Sequence, residues 1–161
     1  MVELIEQDYL KNKEIFENLK INLKEKLGDN IIIEHVGSTA IPDMCGKNII
    51  DILVGASDQV EFEKLKGMIE RLKYYPSQNS KTEIYQFFAS KIEETGSGDV
   101  HIHLVLKGTD RYNDFVVLRD YLLCEPNEAK MYADFKRELI KKMLLIEKII
   151  GLKKANMSQN W

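Results

Sequence analysis

Residues 35–54 read HVGSTAIPDMCGKNIIDILV, and the fold turns on how this stretch is divided. Residues 31–36 are a β-branched run, which predicts a strand ended by Gly37. Gly37-Ser38-Thr39 and the loop carrying Pro42 and Gly46 follow, with a helical turn expected among them. Residues 48–54 predict a second strand, closed by Gly55, with Asp51 in its middle. A carboxylate placed there must be paired, hydrogen-bonded or metal-bound. A turn of small polar residues followed by a strand with one acid is a way to hold phosphate beside a cation.

Outward from that stretch, apolar residues at three- and four-residue spacing predict an amphipathic helix over 8–27, stopped by Gly28-Asp29-Asn30. A second helix is expected over 59–72, broken by Tyr74-Tyr75-Pro76. Residues 82–89 and 100–106 read as strands, and the turn-rich segment 93–99 pairs them as an antiparallel hairpin. Helices follow over 111–124 and 128–150, the second with an apolar stripe from Tyr132 through Phe135, Leu139, Met143 and Ile146 to Ile150. The expected architecture is α/β (α+β), a small mixed sheet flanked by helices. Residues 1–161 form one domain: an α/β core over 1–108, a helical part over 109–150, and a tail over 151–161 that is expected to fray.

A chain of 161 residues with 44% hydrophobic and 30% charged residues can bury a core, and its net charge of −3 argues against a broad nucleic-acid surface. Two cysteines without a Cys-x-x-Cys spacing fit a reducing compartment. The N-terminal residues lack the pattern of a signal peptide, and no apolar run approaches the ~20 residues of a membrane span. A cytoplasmic protein is expected.

Strand alternation selects the chemistry. Asp51 shares a face with Ile49 and Leu53, and His101 and His103 share the face of their strand opposite Val100, Ile102 and Leu104. If these strands are neighbours, one carboxylate and two imidazoles converge, a ligand set for a divalent ion. The plainer reading of His-x-His is a solvent-facing or core-edge pair. Gly37-Ser38-Thr39 is a candidate anion nest, or else an ordinary capped turn. Lys47 lies just before the Asp51 strand and is placed to reach the same pocket. Glu34 and His35, at the end of the first strand, would orient the loop as a buried pair. Arg119 suits a phosphate or carboxylate, or an ion pair with a neighbouring acid. Lys136, one turn beyond Tyr132, is the lysine of the last helix expected to point inward.

These residues are similar to a known family. The run EHVGSTAIP (34–42), Lys47, Ile50-Asp51-Ile52, HIHLV (101–105), LRDYL (118–122), Pro126 and Tyr132 with Lys136 resemble the GrpB-like family, across roughly residues 31–142 and in the same order. That family resembles a branch of the polymerase-beta-like nucleotidyltransferase superfamily, and some members are fused to dephospho-CoA kinase, which implies a functional link to that enzyme. The resemblance implies that Gly37 and Ser38 grip a nucleotide and that Asp51 is a catalytic-strand acid. The superfamily's second acid position carries Leu53 here, and a later strand offers His101 and His103 in place of a third carboxylate.

Two functions follow. In the first, a divergent nucleotidyl- or phosphoester-transferring enzyme uses Asp51 and His103 as catalytic residues. Asp51, His101 and His103 would hold one Mg²⁺, Mn²⁺ or Zn²⁺, while Gly37, Ser38, Thr39, Lys47, Arg119 and Lys136 would hold phosphate. In the second, a non-catalytic module binds a nucleotide or a coenzyme A-related ligand. The partner in both is a phosphorylated small molecule, not a membrane.

Overall fold

Asp8 accepts a hydrogen bond from the Lys11 amide and starts the first helix, so the chain enters regular structure through an N-cap. The computed structural model describes residues 5–90 and 99–158, with side chains described as far as residue 146. Along the chain run β1 (Ile5–Glu6), α1 (Tyr9–Leu27), β2 (Ile32–Val36), a 3-10 turn (Ser38–Ala40), β3 (Cys45–Gly46) and β4 (Ile50–Ala56). Then come α2 (Gln59–Arg71), β5 (Tyr74–Thr82), β6 (Tyr85–Ser90), β7 (Val100–Leu106), α3 (Asp110–Cys124) and α4 (Pro126–Ser158). Asp58 and Thr109 cap α2 and α3 through their side chains.

One mixed sheet has the order β2–β4–β7–β6–β5, and β1 pairs with β3 as a separate ribbon. β4 and β7 are parallel, with Asp51 opposite His101 and Leu53 opposite His103. β2 is antiparallel to β4, and β6 is antiparallel to β7. Alternation divides the sheet into two differently used faces. One face, with Ile33, Ile52, Val54, Phe88, Ile102 and Leu104, is sealed by Phe16 and Leu23 of α1 and by Phe62, Leu65 and Ile69 of α2. On the other, Val36, Leu53 and Val105 pack with Tyr85 and with Tyr112 of α3. A third cluster, Ile41, Met44, Cys45, Leu122, Ala129 and Ala133, ties the loop after the 3-10 turn to α3 and α4. Apolar surface removed from water at these three places is worth roughly 25 cal/mol per Å². Among the described residues no helix is long and apolar enough to cross a membrane.

The expected hairpin of β6 and β7 is present, although residues 93–98 of its connection lie outside the described residues. The second helix ends at Arg71, ahead of Tyr74-Tyr75-Pro76 as expected, and those residues begin β5, whose polar sequence suits a sheet edge. Pro76 is tolerated there, beside a register shift between Pro76 and Lys81. Gly55 does not end its strand: β4 starts at Ile50 and runs to Ala56. The segment expected to fray is helical to Ser158, and α4 begins at Pro126, in the position where a missing amide proton costs least.

Gly55 is required for packing. A Cβ there would lie 3.0 Å from Tyr112 Cε2 and 3.4 Å from Ile32 Cβ, so Gly55 lets α3 approach the sheet. Gly55→Val is expected to destabilise the protein by about 1–3 kcal/mol through overpacking. Urea unfolding would read this as a lower midpoint at unchanged slope.

Candidate functional site

At the carboxyl end of β2 the chain turns directly over the Asp51 side chain. Gly37 has φ +74°, and a Cβ on it would lie 2.9 Å from both Asp51 Cβ and Cγ and closer still to Oδ2. Both the left-handed backbone and the contact therefore demand glycine. The expected turn of Gly37-Ser38-Thr39 thus stands against the acid of the next strand.

The parallel register of β4 and β7 brings both imidazoles to that acid. His101 Nδ1 is 3.2 Å and His103 Nε2 3.3 Å from Asp51 Oδ1. Burial pushes the Asp51 carboxyl up, but the hydrogen bonds and charges of the two histidines outweigh it and hold it below its ordinary value. On the far side of His103, the Tyr85 hydroxyl is 3.0 Å from Nδ1. Burial raises the Tyr85 phenol, so it stays protonated and donates to Nδ1. That selects the tautomer of His103 whose Nε2–H donates to Asp51. Phe87 and Phe115 flank the His103 ring.

Ser38 faces a different partner. Lys136 of α4 donates from Nζ to Ser38 Oγ at 2.6 Å and to the Cys45 carbonyl at 2.8 Å. Burial lowers the Lys136 ammonium below its usual value, although the Asp51 charge opposes this. Gly46 makes room: a Cβ on it would lie 2.8 Å from Ser38 Cβ.

Glu34 and His35 orient the loop, but not as a pair, because adjacent strand residues point to opposite faces. Glu34 accepts from the Tyr112 hydroxyl at 2.8 Å and from Arg119 at 2.6 Å. Burial and the Glu34 hydrogen bond push the Tyr112 phenol up to about 12. His35 stacks on Phe16 and lies 3.0 Å, through Nε2, from the Thr39 hydroxyl, which donates to the Ile49 carbonyl. Burial lowers the His35 imidazole to about 4. Thr39 is thus fully buried and spends its hydroxyl on the loop rather than on a ligand. Arg119 also bonds Asp120 and the His35 carbonyl, so its guanidinium is largely committed to protein. Lys47 is exposed, and among the described residues no side-chain hydrogen bond or ion pair joins it to the cluster.

Ser38, Gly37 and His103 open on a cavity of about 350 Å³ under α3 and α4, within the usual size of small-molecule sites. Its walls include Met44, Phe115, Leu118, Leu122 and Tyr132. Arg111, also on the wall, lies over the faces of Tyr85 and Phe115 at 4.6 and 5.1 Å from their centroids. Sequence reasoning overlooked Arg111, Tyr85 and Phe115. An arginine one turn before an aromatic at the start of a helix was the available signal, and it is a weak one.

The donor set does not fit two-metal chemistry. Leu53 occupies the second acid position inside an apolar cluster, and Asp51 alone supplies a carboxylate beside the two imidazoles. Among the described residues no three His, Cys, Asp or Glu side chains stand in ligand geometry.

The lowered His35 value gives a signed expectation. Its folded value, about 4, lies below the ordinary 6.5, so the unfolded chain binds the proton more readily. Stability from this group is present above 6.5 and is lost as pH falls towards about 4. His35→Gln retains an amide donor for Thr39 but does not titrate. Its urea midpoint should fall less steeply than that of the wild type across this interval, and equal slopes would assign the loss to other groups.

The family model described as GrpB protein matches residues 2–150. The glutamate-rich protein GrpB of Alkalihalophilus pseudofirmus is 33% identical over 135 residues, covering 81% of this chain and 76% of that protein. The chain spans 63%, 36% and 58% of the lengths of three other curated relatives that it matches. The crystal structure of the conserved protein GrpB from Enterococcus faecalis has a TM-score of 0.73 at 25% identity, over 87% of this chain and 84% of that one. Cid1, described with an RNA terminal uridylyl transferase activity, has a TM-score of 0.53 at 12% identity, over 80% of this chain and 39% of its own. That likeness concerns the fold, which is of the nucleotidyltransferase type. With the family model matching residues 2–150, nearly the whole length, the chain belongs to the GrpB family.

Proposed function

We propose that this protein binds a nucleotide or another phosphorylated small molecule in the cavity between the sheet and the α3–α4 pair, without two-metal nucleotidyl transfer. The observation that carries the reading is a cavity lined by Ser38, whose hydroxyl Lys136 holds, and by Arg111 on the rings of Tyr85 and Phe115. Cationic donors suit phosphate oxygens, and the faces of Phe115 and Tyr132 suit a base or another flat apolar group. The absence of a second acid beside Asp51, where Leu53 is packed, favours binding over transfer.

Calorimetry with nucleoside triphosphates tests it. Charge-assisted hydrogen bonds contribute about 1.5–3 kcal/mol, so Arg111→Ala and Lys136→Met should each weaken binding by roughly ten- to a hundredfold. Lys47→Ala should leave affinity unchanged, because Lys47 is exposed away from the cavity. Binding that survives both substitutions would sink the assignment.

A second reading keeps one divalent ion on Asp51, His101 and His103, which would have to shift from their hydrogen-bonded arrangement to ligate it. It is favoured by the convergence of both imidazoles on a single carboxylate oxygen. His103 can offer the Nε2 lone pair if its proton moves to Nδ1, with the Tyr85 oxygen as acceptor. A donor set of two nitrogens and one carboxylate suits Zn²⁺ or Mn²⁺ better than Mg²⁺. Titration with Zn²⁺ at neutral pH should then show uptake that Asp51→Asn and His103→Ala both reduce. No uptake by the wild type leaves the three residues as a hydrogen-bonded cluster.

A further inference from the structure

We infer that Ser38 is a nucleophile with Lys136 as its general base, and that the cavity accepts a carboxylic ester or thioester carrying an apolar acyl group. The Nζ–Oγ distance is 2.6 Å, within the reach required of a nucleophile and its base. Ser38 follows the left-handed Gly37 and is boxed by Gly46, so its hydroxyl is held in place at the cavity wall. Ile41, Met44, Leu118 and Leu122 give that wall an apolar surface fit for an acyl chain.

The surroundings of Lys136 favour a base over a structural cation. Among the described residues no ion pair joins it to a carboxylate, and burial disfavours its charged form more than Cys45 and the Asp51 charge favour it. A lysine in such a setting is a serviceable general base. The ammonium donates to Ser38 Oγ; once it loses that proton, Nζ keeps one N–H on the Cys45 carbonyl while its lone pair takes the Ser38 proton.

In the first step the Ser38 Oγ–H proton passes to Nζ, and Oγ bonds to the carbonyl carbon. The tetrahedral adduct then collapses and breaks the carbon–oxygen or carbon–sulfur bond. The leaving alkoxide or thiolate takes the proton from Nζ. Water, deprotonated by Lys136, attacks the acyl-Ser38 carbonyl, and Oγ departs with the proton. The sum is ester plus water to acid plus alcohol, or thioester plus water to acid plus thiol, with no metal and no redox partner.

This activity does not rest on the phosphate reading, and its test is separate from the nucleotide calorimetry. The full chain is incubated with an alkyl fluorophosphonate, and the adduct is located by intact mass and peptide mapping. The wild type should gain one phosphonyl group on Ser38. Ser38→Ala should gain none at that peptide. Lys136→Met and Lys136→Arg, each verified as folded by circular dichroism, should react about 100-fold more slowly or less, since neither offers a lone pair for the proton. An unlabelled wild type, a label elsewhere, or equal rates in the Lys136→Arg variant would overturn the proposal.

Discussion

The carboxylate of Asp51 beneath Gly37 is the constraint from which the rest of the site follows. An acid with both neighbours in the strand buried is tolerated because two imidazoles donate to one of its oxygens. The close approach of the chain above it excludes any Cβ and fixes the left-handed turn. The turn in turn aims Ser38 away from the acid and towards α4. The site therefore has two polar centres side by side, one built on Asp51 and one on Ser38, rather than a single cluster.

The loop between them is held from both faces of the sheet. On one side Glu34 gathers the Tyr112 hydroxyl and the Arg119 guanidinium and so pins α3. On the other, His35 stacked on Phe16 meets Thr39, whose hydroxyl continues to the Ile49 carbonyl. Two adjacent residues of one strand thus anchor two different layers. A charge-assisted bond such as Arg119–Glu34, only part-exposed, resists exchange with water more than a surface pair would. Arg119 and Thr39 thus brace the loop, and Arg119 also lines the cavity.

Much of this was legible in the residues because strands impose a period of two. The alternation of β7 put His101 and His103 on one face, and the run around Asp51 gave the neighbouring strand. What could not be read were features without a period. β5 is polar and contains Pro76, so nothing marked it as a strand except the sheet edge it occupies. Gly55 looks like a terminator until Tyr112, 57 positions later, is seen resting on it. Lys47 is close to Asp51 in the chain, yet it stands on the exposed side of the β3–β4 connection. Arg111, far away in sequence, is brought in by helix packing that no local pattern encodes, whereas the helical period beyond Tyr132 had already turned Lys136 inward.

The apolar residue at position 53 is built into the packing. Leu53 is fully buried between Val36, Tyr85, Val105 and Tyr112. A carboxylate at that position would lose its hydration without gaining a donor, because the Tyr112 hydroxyl is spent on Glu34 and the Tyr85 hydroxyl on His103. Restoring a two-acid strand would require rebuilding the α3 contact as well. An adjoining face of α3 meets the cavity through Phe115, Leu118 and Leu122, so the packing around Leu53 continues into the apolar wall beside Ser38. Beside Asp51 the floor is hydrogen-bonded, and Ser38 on the cavity wall, held by Lys136, is the second polar centre.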